Sequence, residues 1–553
     1  MHREKLSAKA TSAIVFILVA AVLGCVIWLG WSLVHRHYSL PTIDNLQSNV
    51  KVSVGVVGSP QSLDIRTQDD TSLDQALIGN VYETLIGTDE NNELTPSIAS
   101  RWNVSDDGLT YTFSIRQARF ANGHTLNAAD VAWSLKRIIE KHYIGADQLN
   151  AIASVTASNS TKLTITLNEP DQRLLRALSG RAGIVYDSQA NIDYATQAAG
   201  SGPFRVTEWV PNQRIVLERN ADYWGSKAKA ETITIMYHAN DADLANALNT
   251  GDIDAAVAMN KTSADAVTAE NIVRKQGSST RKIVLGFNND ASSILSDKRY
   301  RQAVRYLVDR ASMTEALGGG ETLSGPLASL DADSPSDQSS DHTAENHTAD
   351  TAEPESSENA DNTPSTGDTT STDNPANTGN PFPYDPDKGN ELIAYFRFRN
   401  SRRPLTFVYP QRYGDAPGKL LAQALSNEPA NVDLNIQMVD DATWKQTVNA
   451  HQYDFTLYEV DDEDYLDTLM DPQSFISFVS PDSQQAWNTV LQSTNKEDYA
   501  NNFAAFTAQL NDDSPVDWIC ALQPITMYTN SVTGLPVNMT YTRMPLATVT
   551  SAH

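Results

Sequence analysis

The sequence is short of cysteine, of positive charge and of every compact catalytic signature. Only two cysteines occur, Cys25 in an apolar N-terminal run and Cys520 near the C-terminus, so no disulfide framework is expected. A large core does not need one, and the shortage does not argue for the cytoplasm. Lysine and arginine number 41 against 68 aspartates and glutamates, a formal net charge of -27. Such a surface repels phosphate, which argues against nucleic acid as a partner. No GxSxG, HExxH or P-loop spacing is present. The histidines are scattered: His342 and His347 fall in an acidic stretch, His35 and His37 flank an apolar run, and His124 follows an Asn-Gly turn. Nothing assembles a nucleophile with a base, so the chain is not read as an enzyme, and no cofactor or metal is expected.

What is present begins with residues 13–34, which carry no charge. Their length, roughly 22 residues, suffices to cross a hydrocarbon core of about 30 Å. Arg3, Lys5 and Lys9 precede the run, which favours a cytoplasmic N-terminus (1–12) and an exported body. Trp28 and Trp31 suit the interfacial belt at its outer end. Two readings stand: an uncleaved signal anchor, or a lipoprotein, since Val22-Leu23-Gly24-Cys25 loosely resembles a lipobox. Both tether the body outside the cell membrane. Residues 35–49 form a polar linker with a reach of about 50 Å.

From residue 50 onward the pattern is mixed α/β. Val52, Val54 and Val56 alternate as in a half-buried strand, and residues 109–116 form the clearest strand, with Leu109, Tyr111, Phe113 and Ile115 on one face. A helix opens at Asn127 with Asp130 in its first turn and Val131, Leu135, Ile138 and Ile139 inward. Residues 162–167 return as a strand. Further on, 299–310 reads as one amphipathic helix, 405–409 as a strand, 419–425 as a helix and 432–439 as an alternating strand, a βαβ order. No internal repeat is visible. At 553 residues the chain needs two or three packed units.

Residues 331–380 break this pattern. They are mostly Asp, Glu, Ser, Thr, Asn, Pro and Ala, without Lys, Arg or a large apolar side chain. Such a stretch buries too little to offset ordering entropy, so a disordered acidic insert is expected there.

The ordered blocks resemble a known family. Val81-Tyr82-Glu83-Thr84-Leu85 is followed by Leu94-Thr95-Pro96-Ser97-Ile98-Ala99, Trp102 and Ser105-Asp106-Asp107-Gly108. Then come Phe120-Ala121-Asn122-Gly123 and Leu126-Asn127-Ala128-Ala129-Asp130-Val131. Gly200-Ser201-Gly202-Pro203-Phe204, Tyr223-Trp224-Gly225, Gly251-Asp252-Ile253-Asp254, Phe287-Asn288 and Arg301-Gln302-Ala303-Val304 continue in order. Together they resemble the family 5 solute-binding proteins, the oligopeptide- and dipeptide-binding group of ABC importers, from about residue 52 to 534. Tyr223 and Trp224 read as packing aromatics, and most of these blocks specify scaffold rather than substrate.

The resemblance implies an α/β, two-lobed periplasmic-binding-protein-like fold of type II, the large peptide-binder variant with an extra subdomain. One lobe would use 50–88, 200–290 and 525–553, the subdomain 89–199, and the other lobe 291–524. It implies a peptide or similar small-solute ligand, permease and ATPase subunits as partners, and an aspartate that pairs with the ligand's α-amino group. Asp464-Tyr465, ahead of Asp471-Pro472 and Phe475, matches that segment, although its usual tryptophan is missing. Asp464 is therefore the expected ammonium partner, with Asp461 and Asp462 as alternates and Tyr82 and Asn288 as weaker site candidates. The crowd of Asp461, Asp462, Glu463 and Asp467 equally suits a basic peptide, another cationic ligand or a metal ion; as a calcium loop it lacks the required glycine. A receptor feeding a membrane sensor, or a degenerate member used for adhesion or assembly, stands beside the importer reading. A monomer is expected, since no oligomerisation motif is visible.

Overall fold

A computed structural model describes residues 50–331, 380–396, 404–428, 430–461, 465–540 and 543–552. The apolar run 13–34, Asp462, Asp464 and residues 332–379 lie outside the described residues. Among the described residues no helix is long and apolar enough to cross a membrane. The following concerns the compact unit Lys51–His553.

Two mixed sheets carry the architecture. The first has seven strands in the order Phe204–Val210, Arg214–Arg219, Thr232–His238, Lys51–Val57, Ala255–Met259, Ile525–Thr529 and Ile272–Gln276. Lys51–Val57 runs parallel to both Thr232–His238 and Ala255–Met259, so these three strands end on one edge. Val52, Val54 and Val56 are buried, as their alternation predicts, and so is Gly55 between them. A strand covered on both faces is what parallel pairing in an α/β layer demands. The helix Asp241–Thr250 makes one crossover; Asn240 caps its start and Gly251, at φ +76°, ends it in the left-handed region.

The second sheet has six strands in the order Gly320–Thr322, Val516–Leu522, Arg281–Phe287, Phe455–Asp461, Leu405–Pro410 and Leu434–Val439. Its last three are mutually parallel, so Asp461, Pro410 and Val439 also lie on one edge. Each face of this sheet carries a core. Ile283, Leu285 and Phe287 pack with Tyr300, Val304 and Leu421 on one side. Val284 packs with Leu466, Trp487, Phe506 and Trp518 on the other. This is the period-2 alternation of a strand buried on both faces.

The chain passes between the sheets twice. Residues 277–280 carry it from Ile272–Gln276 into Arg281–Phe287, and residues 523–524 bring it back from Val516–Leu522 into Ile525–Thr529. The passages are bonded side by side: Gly277 N–H donates to the Pro524 carbonyl at 3.0 Å, and Gln276 Nε2 to Gln523 Oε1 at 2.8 Å. A four-stranded antiparallel sheet, Ala99–Val104, Thr110–Ile115, Lys162–Leu167 and Ile152–Asn159, forms a further layer. The helix Ala128–Lys141 packs on it. Its start is a reciprocal cap, with Asn127 Oδ1 accepting from Ala129 N and Asp130 Oδ2 from Asn127 N.

Two expected elements differ. The helix read as 299–310 is two, Lys298–Leu307 and Arg310–Ala316, because Val308 and Asp309 are extended and Asp309 caps the second one. The break turns Arg310 onto Asp517, which it shares with Arg305; all three are buried. The strand expected at 432–439 begins at Leu434 and is a sheet edge, with most of its side chains exposed rather than alternating. Asp331, at the head of the acidic stretch, is fully buried in an ion pair with Lys282.

Candidate functional site

In open α/β sheets, ligands sit beyond the carboxyl ends of parallel strands, where helix N-termini and loop side chains converge. Here the two passages bring two such edges into one region. The first sheet contributes Asn240 and Asp241 after one strand and Asn260 and Lys261 after another. The second contributes residues 411–414, Asp440 and Asp441, and the strand end Glu459 to Asp461. Arg281, the first residue beyond the passage, lies opposite Asp461 in the register.

The side chains on this rim form a charged cluster. Arg281 Nε donates to Glu459 Oε1 at 2.6 Å, and Arg281 Nη2 reaches the same oxygen. Thr280 Oγ1 donates to Asp461 Oδ1 at 2.5 Å. Arg412 pairs with Asp441 and donates from Nη2 to the Tyr413 hydroxyl at 3.1 Å. Burial raises the Tyr413 hydroxyl, with Glu459 adding to the shift and Arg412 opposing it. Across the gap, burial raises the Asp241 carboxyl, opposed by the Asn260 amide and the charge of Arg281. The guanidinium on the second sheet is thus felt by a carboxylate on the first.

Contacts bridge the two halves on both flanks. On one, Lys261 Nζ lies 3.9 Å from Glu315 Oε1. On the other, the layer carrying the four-stranded sheet reaches across. Arg173 Nη1 pairs with Asp467 Oδ2 at 2.7 Å, and its guanidinium stands 5.5 Å from the Trp487 ring centre. Trp487 Nε1 donates to Asp467 Oδ1 at 3.1 Å, Gln172 Nε2 to the Ser493 carbonyl at 3.4 Å, and Asn92 Nδ2 to the Leu330 carbonyl at 3.2 Å.

Of the sequence-expected residues, Asp461 stands on this rim; Asp462 and Asp464 follow it in the chain, outside the described residues. Asn288 is not brought there. It follows the far end of Arg281–Phe287, about 20 Å along the strand, where its Nδ2 donates to the Tyr453 carbonyl at 2.8 Å. Tyr82 is fully buried, its ring 5.4 Å from that of Tyr186. Tyr223 and Trp224 pack as expected and also serve a buried acid, since their Oη and Nε1, with Ser201 Oγ, all donate to Glu83. Arg281, Glu459, Asp241 and Arg412 had no sequence signal, because only sheet register and the passages unite them. Among the described residues no group of histidine, cysteine and carboxylate side chains is placed to hold a metal ion.

Residues 93–486 match the family model of the bacterial extracellular solute-binding proteins, family 5 (middle). One curated relative, the probable D,D-dipeptide-binding periplasmic protein DdpA of Escherichia coli (strain K12), is 24% identical over 291 residues, covering 50% of this chain and 56% of its own. The chain spans about half the length of the curated relatives it matches. Among solved structures, the ABC transporter substrate-binding protein CtaP of Listeria monocytogenes superposes with a TM-score of 0.73 at 17% identity, covering 92% of this chain and 100% of that one. The periplasmic binding protein DppA of Helicobacter pylori, in complex with the peptide STSA, superposes with a TM-score of 0.68 at 17% identity over the same shares.

Proposed function

Because the chain belongs to family 5 of the bacterial extracellular solute-binding proteins, we propose that it captures a short peptide between its two sheets and delivers it to the permease and ATPase subunits of an ABC importer. The observation that carries this reading is the meeting of two carboxyl-terminal strand edges at a double passage, with Asp241, Arg281, Glu459 and Asp461 facing the same space. A peptide offers an ammonium, a carboxylate and backbone donors, and this rim supplies charges of both signs. Asp464, with Asp461 and Asp462 beside it, takes the ammonium. Carboxylates outnumber cations there, which favours a peptide bearing extra positive charge. Relatives named as dipeptide-binding or peptide-binding proteins support the substrate class, and none of this chemistry breaks a bond, so the protein binds and does not catalyse. The body works outside the cytoplasm, held to the membrane through residues 13–34.

Native mass spectrometry of the body purified from peptide-rich medium tests this. A heterogeneous set of bound peptide masses, released on denaturation, is the expected result. A single non-peptide mass would keep the fold and replace the substrate. An empty protein that ignores every peptide pool would sink the importer reading in favour of a sensor or an assembly role.

A further inference from the structure

We propose that the outer edge of the strand Leu434–Val439 is a docking site for an extended segment of another protein, apolar in its middle and basic at its ends. The segment adds to the second sheet as one more strand. The site lies along the flank of that sheet and depends on no particular ligand at the rim.

The first argument is the backbone. Leu434–Val439 pairs on one side only, with Leu405–Pro410, and ends the sheet. Leu405 N–H donates to the Asp433 carbonyl at 2.9 Å. In a parallel ladder both backbone groups of a residue point the same way, and successive residues alternate. Asp433, Asn435 and Gln437 therefore face Leu405–Pro410, while the N–H and C=O groups of Leu434, Ile436 and Met438 face outward. Among the described residues no strand or loop takes them. The side chains beside these groups are open too: Ile436 is 37% exposed and Met438 45%.

The second argument is contrast. Free edges invite strand pairing, and proteins blunt them with charge, bulges or shortness. Among the described residues, every other edge of the three larger sheets is blunted. Phe204–Val210 carries Arg205 and Glu208 and a register break between Val206 and Glu208. Ile272–Gln276 carries Arg274 and Lys275, and Gly320–Thr322 is only 3 residues long. In the four-stranded sheet both outer strands break register, between Ala99 and Arg101 and between Ile152 and Ser154. Leu434–Val439 has 6 residues, no charge, no proline and an unbroken register. An edge left open where all the others are closed is an edge kept for pairing.

The third argument selects the occupant. Exposed Asp433 precedes the strand, and exposed Asp440 and Asp441 follow it, Asp441 being paired with Arg412. A second copy of this chain is a poor fit. In a two-fold antiparallel pairing centred on Gln437, Asp433 of one copy meets Asp441 of the other, and like charges opposite one another destabilise a ladder. Each copy also carries a net charge of -27, which adds to the repulsion. A strand with lysine or arginine at its ends meets the same acids favourably, and its apolar middle covers Ile436 and Met438. In strand addition of this kind, backbone bonds supply affinity and alternate side chains supply selectivity.

The test uses the full chain and two labelled peptides of alternating valine and threonine, one ending in lysine pairs and the other in glutamate pairs. Both are acetylated and amidated, so neither offers the ammonium or carboxylate that the proposed ligand site takes. Fluorescence anisotropy should show the lysine-ended peptide binding about fivefold tighter or more. Hydrogen exchange should show the amides of Ile436 and Met438 open in the free wild type and protected once that peptide is bound. Ile436→Pro removes an outward donor and keeps the pairing with Leu405–Pro410, so it should weaken binding about tenfold or more. The exchange experiment needs no variant and decides the matter if Ile436→Pro misfolds. The proposal is overturned if the lysine-ended peptide does not bind, binds without protecting residues 434–439, or binds folded Ile436→Pro equally well. Glutamate ends that bind as tightly as lysine ends overturn it as well. Amides already protected in a free protein of doubled mass would make a second copy the occupant, which also overturns it.

Discussion

Asp464 and Glu83 are two carboxylates put to opposite uses. Asp464 follows Asp461 in the chain and is the proposed ammonium partner, a role in which its charge would be the working part. Replacing it with asparagine leaves a desolvated ammonium without its ionic partner, which should weaken free-amine peptides about tenfold or more. Calorimetric titration checks this, and unchanged affinity would hand the role to Asp461 or Asp462. Glu83 is buried, and its charge is a burden. Burial pushes its carboxyl up to about 7, against the donors of Trp224, Ser201 and Tyr223. An unfolded glutamate titrates near 4.5, so the native state holds the proton more tightly. The stability this provides is full below that value and is lost as pH rises to about 7. Buried Asp74, raised to about 7 by burial against the pull of Arg181, acts in the same direction. Glu83→Gln should therefore reduce, without abolishing, the fall in stability between pH 4.5 and 7.5, by on the order of 3 kcal/mol. Urea unfolding at the two pH values measures it; an unaltered difference would mean that Glu83 ionises freely in the fold.

At the scale of elements, legibility follows the sequence distance over which each structure is decided. The helix Ala128–Lys141 is readable because its cap, first-turn acid and buried stripe are all local. The strand Thr110–Ile115 is readable because alternation is a property of the strand itself. The break at Val308 escapes the sequence because the periodicity runs through it; the reason to stop lies at Asp517, 207 residues on from Arg310. Asp331 reads as part of a solvated tract because its partner Lys282 is 49 residues away. The family blocks locate the scaffold well, and their glycines have a plain cause. A Cβ on Gly200 would stand 1.8 Å from the Val81 carbonyl oxygen, so this contact between distant blocks admits no side chain. The rim is less legible, since Arg281 and Glu459 meet across 178 residues through register alone. The broken helix also carries a prediction. Asp517 Oδ1 accepts from both Arg305 and Arg310, and desolvation already pushes Arg305 down to about 10 against the opposing charge of Asp517. Asp517→Asn removes the only carboxylate bonded to either among the described residues, and should lower unfolding free energy by about 3–5 kcal/mol. A loss below about 1 kcal/mol, the scale of an exposed pair, would show that the backbone carbonyls suffice.

For the whole molecule, the question is what holds the two halves together over a ligand. Among the described residues only 277–280 and 523–524 pass between the sheets, and they are bonded to each other, so a narrow hinge with rotation about it is the motion expected of the proposed binder. The hinge cannot itself define the closed state, because it is common to open and closed forms. In the proposed binder, closure would depend instead on the contacts between the halves: Arg173 with Asp467 and Trp487, Gln172 with Ser493, Asn92 with Leu330, and Lys261 with Glu315. Arg173 is 23% exposed and Asp467 49%, so their pair contributes only about 0–1 kcal/mol. A weak clasp suits the proposed carrier role, since a ligand gripped beyond recovery could not be delivered. Arg173→Gln should leave the melting temperature unchanged, because each half keeps its own core, and should speed ligand release about three- to fivefold. Stopped-flow release of a bound peptide measures the rate, and small-angle scattering of the ligand-free variant should show a more open average shape. A release rate equal to that of the wild type would mean that the ligand and the rim alone hold the closed form. The Arg173 contact would then be a consequence of closure and not one of its causes.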